Sequence, residues 1–151
     1  MIDNLLKFDT QKAPNYAVGG ASDFVSGGAE RPCYELEAPT GRAVYIMQVH
    51  ASQGADLYIH GPVTSTEITG SLATPSIPAN FGGFDCTAEF RSGTSSSAAN
   101  TEGWLVDLGT TGAYQFHPYG LYLAPGDICV LKANNTGGSV MAGFRWLELK
   151  I

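Results

Sequence analysis

Leu121-Tyr-Leu-Ala-Pro-Gly-Asp-Ile-Cys-Val-Leu-Lys-Ala-Asn-Asn-Thr-Gly-Gly-Ser-Val140 is the stretch whose reading decides the fold class. Pro125 presets the first turn position and Gly126 takes the positive φ of a type II turn, so the chain reverses there. Asp127 to Ala133 then reads as a strand, and Asn134 to Gly138 as a hairpin loop. Beyond the loop, Val140, Ala142, Phe144 and Trp146 alternate with Met141, Gly143, Arg145 and Leu147. A period of two over that length is the pattern of a strand with one face in a core.

Working outward from this block, the same punctuation recurs. Cys33 to Glu37 alternates and stops at Pro39-Thr-Gly41. Arg42 to His50 is rich in β-branched and aromatic residues, and Asp56 to His60 follows after Ser52-Gln-Gly54, which together predict a hairpin closed by Gly61-Pro62. Cys86 to Arg91, Trp104 to Leu108 and Ala113 to Phe116 read as further short strands. Residues 69–84, with Pro75, Pro78, Gly70, Gly82 and Gly83, read as a long loop, and Ser92 to Asn100 as an exposed low-complexity tip. About eight short strands with almost no helix predict an all-β chain, a jelly-roll-like antiparallel β-sandwich over residues 32–151.

Residues 1–31 look different. Their apolar residues are scattered, and Gly19-Gly20 and Gly27-Gly28 interrupt any regular element. This segment is expected to be an extended N-terminal arm that orders on another surface, with Ile2, Leu5, Leu6 and Phe8 as its anchors. Arg31 and Arg42 are placed to fix such an arm to a neighbour's carbonyls or carboxylates.

Composition narrows the function. The chain has 151 residues, enough for one domain with a real core, yet only 15% are charged against about 25% in typical soluble domains. A net charge of −6, with Lys and Arg scattered from Lys7 to Lys150, gives no footprint for nucleic acid. Cys33, Cys86 and Cys129 make no metal spacing and read as free thiols, two of them within strands. The N-terminus has no signal-peptide pattern, and no run approaches the ~18 apolar residues of a membrane helix, so synthesis in a cytoplasm, without a membrane partner, is expected.

Chemistry-bearing constellations are thin. His50 and His60 flank the predicted hairpin and His117 precedes Pro118, without the further ligand that zinc requires. Glu35 and Glu37 share a strand face, and Glu89, Asp107 and Glu148 stand singly; a carboxylate pair can serve glycoside hydrolysis, but solvated outward faces account for them. No nucleophile elbow, phosphate loop or HExxH is present. Ser92 to Ala99 has no neighbouring His or Lys to activate a hydroxyl. Tyr114, Phe116, Tyr119 and Tyr122, with Trp104 upstream, are either sandwich core or a sugar-stacking platform. The chain is therefore expected to be no enzyme and to need no cofactor.

The block from Leu121 to Val140 also resembles the closing strands of jelly-roll-like structural proteins of tailed bacteriophages, the head decoration (cement) proteins and related fibre knobs. The resemblance implies a homotrimer on a capsid surface, with the arm gripping a shell of major capsid protein, and location in the virion. A tail or fibre module that binds carbohydrate or a receptor is the alternative it leaves open, and a small sandwich hydrolase ranks behind both.

Overall fold

A computed structural model describes residues 16–51, 57–69, 81–82, 86–97, 104–107, 114–116, 121–134 and 136–151. Among them the chain is all-β, in two antiparallel sheets. One sheet, A, holds β1 (Tyr16–Ser26), β3 (Arg42–Ala51), β5 (Phe81–Gly82), β8 (Tyr114–Phe116), β9 (Tyr122–Leu123) and β11 (Ser139–Lys150). Its order is β5-β1-β11-β3-β8, with β9 on the same edge of β3 as an extra pair. The other, B, runs β6 (Glu89–Ser95), β2 (Arg31–Glu37), β10 (Ile128–Ala133), β4 (Leu57–Val63), β7 (Trp104–Asp107).

The sheets pack as a sandwich because their strands alternate. On β11, Val140, Ala142, Phe144 and Trp146 point inward, as the period of two predicts. They meet Val44, Ile46, Val49 and Ala51 from β3 and, from sheet B, Tyr34, Leu36, Phe90, Cys129 and Leu131. Each Val, Leu, Ile or Phe side chain among them contributes about 1.5–3 kcal/mol when fully buried. Phe90 and Phe144 meet edge to face with centroids 6.2 Å apart, and the Tyr34 hydroxyl donates to the carbonyl of Val140, tying the sheets together. The Pro125-Gly126 turn is as read: Gly126 has φ +86° and the Asp127 N–H donates to the Ala124 carbonyl at 2.9 Å.

Three expectations need correction. The arm does not extend over residues 1–31, because Tyr16–Ser26 is an eleven-residue strand in register with β11 from Tyr16↔Leu149 to Ser26↔Ser139. Its glycine serves packing: a Cβ on Gly19 would lie 2.4 Å from the Trp146 indole across the pair, so this position must lack one. The proposed anchors Ile2, Leu5, Leu6 and Phe8 lie outside the described residues.

The two predicted hairpins are not hairpins. β3 pairs with β11, β8 and β9, while β4 pairs with β10 and β7, so the chain changes sheet between them. The Asn134–Gly138 segment likewise carries the chain from β10 in one sheet to β11 in the other. Local alternation marks strands but leaves their partners open. The exposed tip is also shorter than expected: β6 runs to Ser95, and Ser92 and Ser95 are buried, with Ser92 Oγ donating to Asp23 Oδ2 at 2.5 Å.

Candidate functional site

The sandwich has two outward faces, and the chain treats them differently. On sheet B, strand alternation sends Cys33, Glu35 and Glu37 of β2 outward, beside Ile128, Val130 and Lys132 of β10 and Arg91 of β6. The segment 64–69 that follows β4 runs over this face. Ile68 packs on Cys33, Ile128 and Val130. Glu35 is fully buried beneath it and accepts from the Thr66 hydroxyl at 2.8 Å and from the N–H groups of Glu67 and Ile68 at 2.6 and 3.2 Å. The Lys132 ammonium, also fully buried, pairs with Glu67 and donates to Ser97 Oγ at 3.1 Å. Arg91 holds Glu37, Glu89 at 2.6 Å and Glu35 at 3.9 Å. Thr69 then bridges to Thr94, its N–H donating to that carbonyl at 2.7 Å.

The solvated reading of the carboxylates therefore fails for two of them. Glu35 is covered by the strap, and Glu148 points into the end of the sandwich, where it pairs with Arg42 and accepts from the N–H groups of Thr87 and Ala88 at 3.0 Å. Buried carboxylates need such partners, and here each is a clamp on a neighbouring segment. Arg31 and Arg42 serve this chain too. Arg31 donates to the carbonyls of Asn134 at 2.8 Å, Ser97 at 3.2 Å and Ser96 at 3.3 Å, and Arg42 to Glu148.

The remaining candidate chemistry disperses. His50 faces outward on β3 opposite Gly143, and His60 belongs to the other sheet, so the fold does not bring them together as one hairpin would. Burial, and then the Arg145 charge, lower the His50 pKa from its ordinary value. All three cysteines are free, and burial pushes every thiol up, that of Cys86 to about 12 with the Glu148 charge as the next cause. Among the described residues, no group of three or more His, Cys, Asp or Glu is placed to hold a metal ion. No helix there is long and apolar enough to cross a membrane.

The outer side of sheet A is exposed only in part, with Ala43 and Gln48 buried among its described residues. Its outward residues are Val18, Gly20, Ser22 and Phe24 of β1, Met141, Gly143, Arg145, Leu147 and Leu149 of β11, and Ala43, Tyr45, Gln48 and His50 of β3, with Tyr122 beside Tyr45. Phe24 and Met141 are cross-strand partners and stay 53% and 43% exposed; Tyr122 is 47% exposed, and so is Met47 to 45%, at the irregularity where β3 slips against β11. Arg145 is the only formal charge among the outward residues named here.

Of these residues the sequence marks only His50 and Tyr122 as candidate chemistry. A signal was present, however. The last strand is apolar at both parities, Met141, Leu147 and Leu149 against Val140, Phe144 and Trp146, and a strand covered on both faces reads that way. Comparison with family models, curated proteins and solved structures returns no match for this chain.

Proposed function

We propose that the protein is a non-enzymatic structural protein of a virus particle, a capsid decoration (cement) protein that binds and stabilises a shell of major capsid protein. One observation carries the reading: the outer face of sheet A is apolar, exposed at Phe24, Met47, Tyr122 and Met141, and free of carboxylates among its described outward residues. The buried charges elsewhere, Glu35, Lys132 and Glu148, are engaged in clamping the fold. Such a division suits a protein that works by binding other chains.

The strand order supports the jelly-roll part of this reading. β1 to β4 alternate between the sheets, β11 inserts between β1 and β3, and β10 between β2 and β4. Interleaving of the two chain ends is what a pair of wound Greek keys produces. Tyr16 opens β1 beside Leu149 of β11 in sheet A. In this reading Ile2, Leu5, Leu6 and Phe8 are the anchors on the shell.

Tyr122 beside Tyr45 favours one alternative, a tail or fibre module that stacks a sugar ring on exposed aromatics. The two readings separate in purified virions of the virus that encodes the chain. Cryo-electron microscopy and mass spectrometry are expected to find it on the head at a copy number in a fixed ratio to the capsid protein. Confinement to the tail, with binding on a glycan array, would replace the first reading by the second.

A further inference from the structure

We propose that the strap over sheet B is closed covalently, by an amide that joins Lys132 Nζ to Cδ of Glu67. The Lys132–Glu67 ion pair is the state before that bond forms.

The identity of the cation sets this pair apart. Among the described residues the other ion-pair clamps use arginine, Arg42 on Glu148 and Arg91 on Glu35, Glu37 and Glu89. A guanidinium keeps its charge in any protein and suits a permanent ion pair, whereas a lysine amine, once deprotonated, is a nucleophile.

Both reacting groups are held before any reaction. The Lys132 side chain is fully buried on β10, opposite Cys33 and on the same face as Ile128 and Val130. Its Nζ meets the Glu67 carboxylate and donates to Ser97 Oγ at 3.1 Å. Glu67 is fixed through its backbone: its N–H donates to Glu35 Oε1 at 2.6 Å, and the next N–H, of Ile68, does so at 3.2 Å. In bulk water the condensation of an amine with a carboxylate runs uphill. Two groups held in contact gain an effective concentration on the order of 10⁵–10⁸ M, which opposes that bias. The surroundings act in the same direction, because two buried charges become one neutral amide and their desolvation penalty disappears.

The step balances within the pair. One proton passes from the ammonium to a Glu67 carboxylate oxygen, and the Nζ lone pair adds to Cδ. A second proton follows to the same oxygen as its C–O bond breaks. The products are the amide and one water, with no oxidant or other reagent. The terminal torsion of a glutamate is broad, so turning Cδ toward Nζ costs little. The Glu67 side chain is 20% exposed and that of Lys132 not at all, which gives the water an exit on the carboxyl side and shields the nitrogen from bulk solvent. Ser97 Oγ, already an acceptor for Nζ, then takes the one N–H that remains.

Mass spectrometry of the full chain, purified folded and denatured only for measurement, reads the bond directly. The wild-type protein is expected to be lighter than its sequence by one water. A protease digest is expected to contain one branched peptide that joins the segments of Glu67 and Lys132. Lys132→Arg keeps the charge but offers no nucleophile, and Glu67→Ala removes the acceptor, so each variant is expected at the full mass of its sequence. Wild-type protein at the full mass of its sequence overturns the proposal, whether or not either variant folds. A loss of water that persists in Lys132→Arg or Glu67→Ala overturns it as well, as does a branched peptide that joins other residues.

Discussion

The two outer faces of the sandwich begin from the same strand geometry and end as opposites. Sheet B places Glu35 and Lys132 on its outward side and then covers them with residues 64–69, which satisfy both groups. Sheet A places Phe24, Met141, Leu147 and Tyr45 outward and leaves Phe24 and Met141 half exposed. Buried ion pairs add little net stability but are costly to break, so the strap chiefly defines one arrangement of sheet B. An apolar face left open stabilises nothing until another surface covers it. The contrast separates a face covered within the chain from one that keeps Phe24, Met47, Tyr122 and Met141 exposed.

The largest effect should come from breaking the cover of sheet B. Glu35→Ala removes the acceptor of two backbone N–H groups and of the Thr66 hydroxyl, a loss of about 3 kcal/mol in urea unfolding if the donors stay buried. Thr66→Val deletes one of those bonds and should cost about 1 kcal/mol in the same measurement. Phe24→Ser, on the exposed face, is expected to change the stability of the free chain by no more than ~0.5 kcal/mol while weakening its attachment to the particle. Should Phe24→Ser destabilise the free chain as much as Glu35→Ala, sheet A would be part of the folded core and the contrast would collapse.

The smallest effect concerns pH. The folded pKa of His50 is lowered by burial and by Arg145, so the unfolded chain takes up its proton first as pH falls. The stability tied to neutral His50 is fully present above its ordinary value of 6.5. It is lost as pH drops from there through the lower folded value. His50→Gln should flatten that limb of the melting-temperature profile, and an unchanged limb would assign it to other groups.

Much of the fold was legible, for local reasons. Alternation from Val140 to Leu147 and the Pro125-Gly126 turn depend on neighbouring residues, and both were read as they stand. What depended on distant residues was not legible. Gly19 and Gly20 look like a flexible tail until Trp146, more than a hundred positions away in sequence, is seen against Gly19. Arg42 to His50 and Leu57 to His60 look like one hairpin until β11 and β10 claim their edges. Glu35 looks solvated because the strap that covers it carries no periodic pattern. The open face of sheet A was the nearest miss, since apolar residues at both parities of β11 already marked a strand with two dry sides.

Oxidative footprinting of Met47 and Met141 tests the central claim most directly, because both sit exposed among the residues assigned to assembly. Their oxidation would be quantified by mass spectrometry in the free protein and on the particle. The account predicts ready oxidation in the free protein and marked protection of both methionines on the particle. Equal oxidation in the two states would show that the open face of sheet A stays open, and would contradict it.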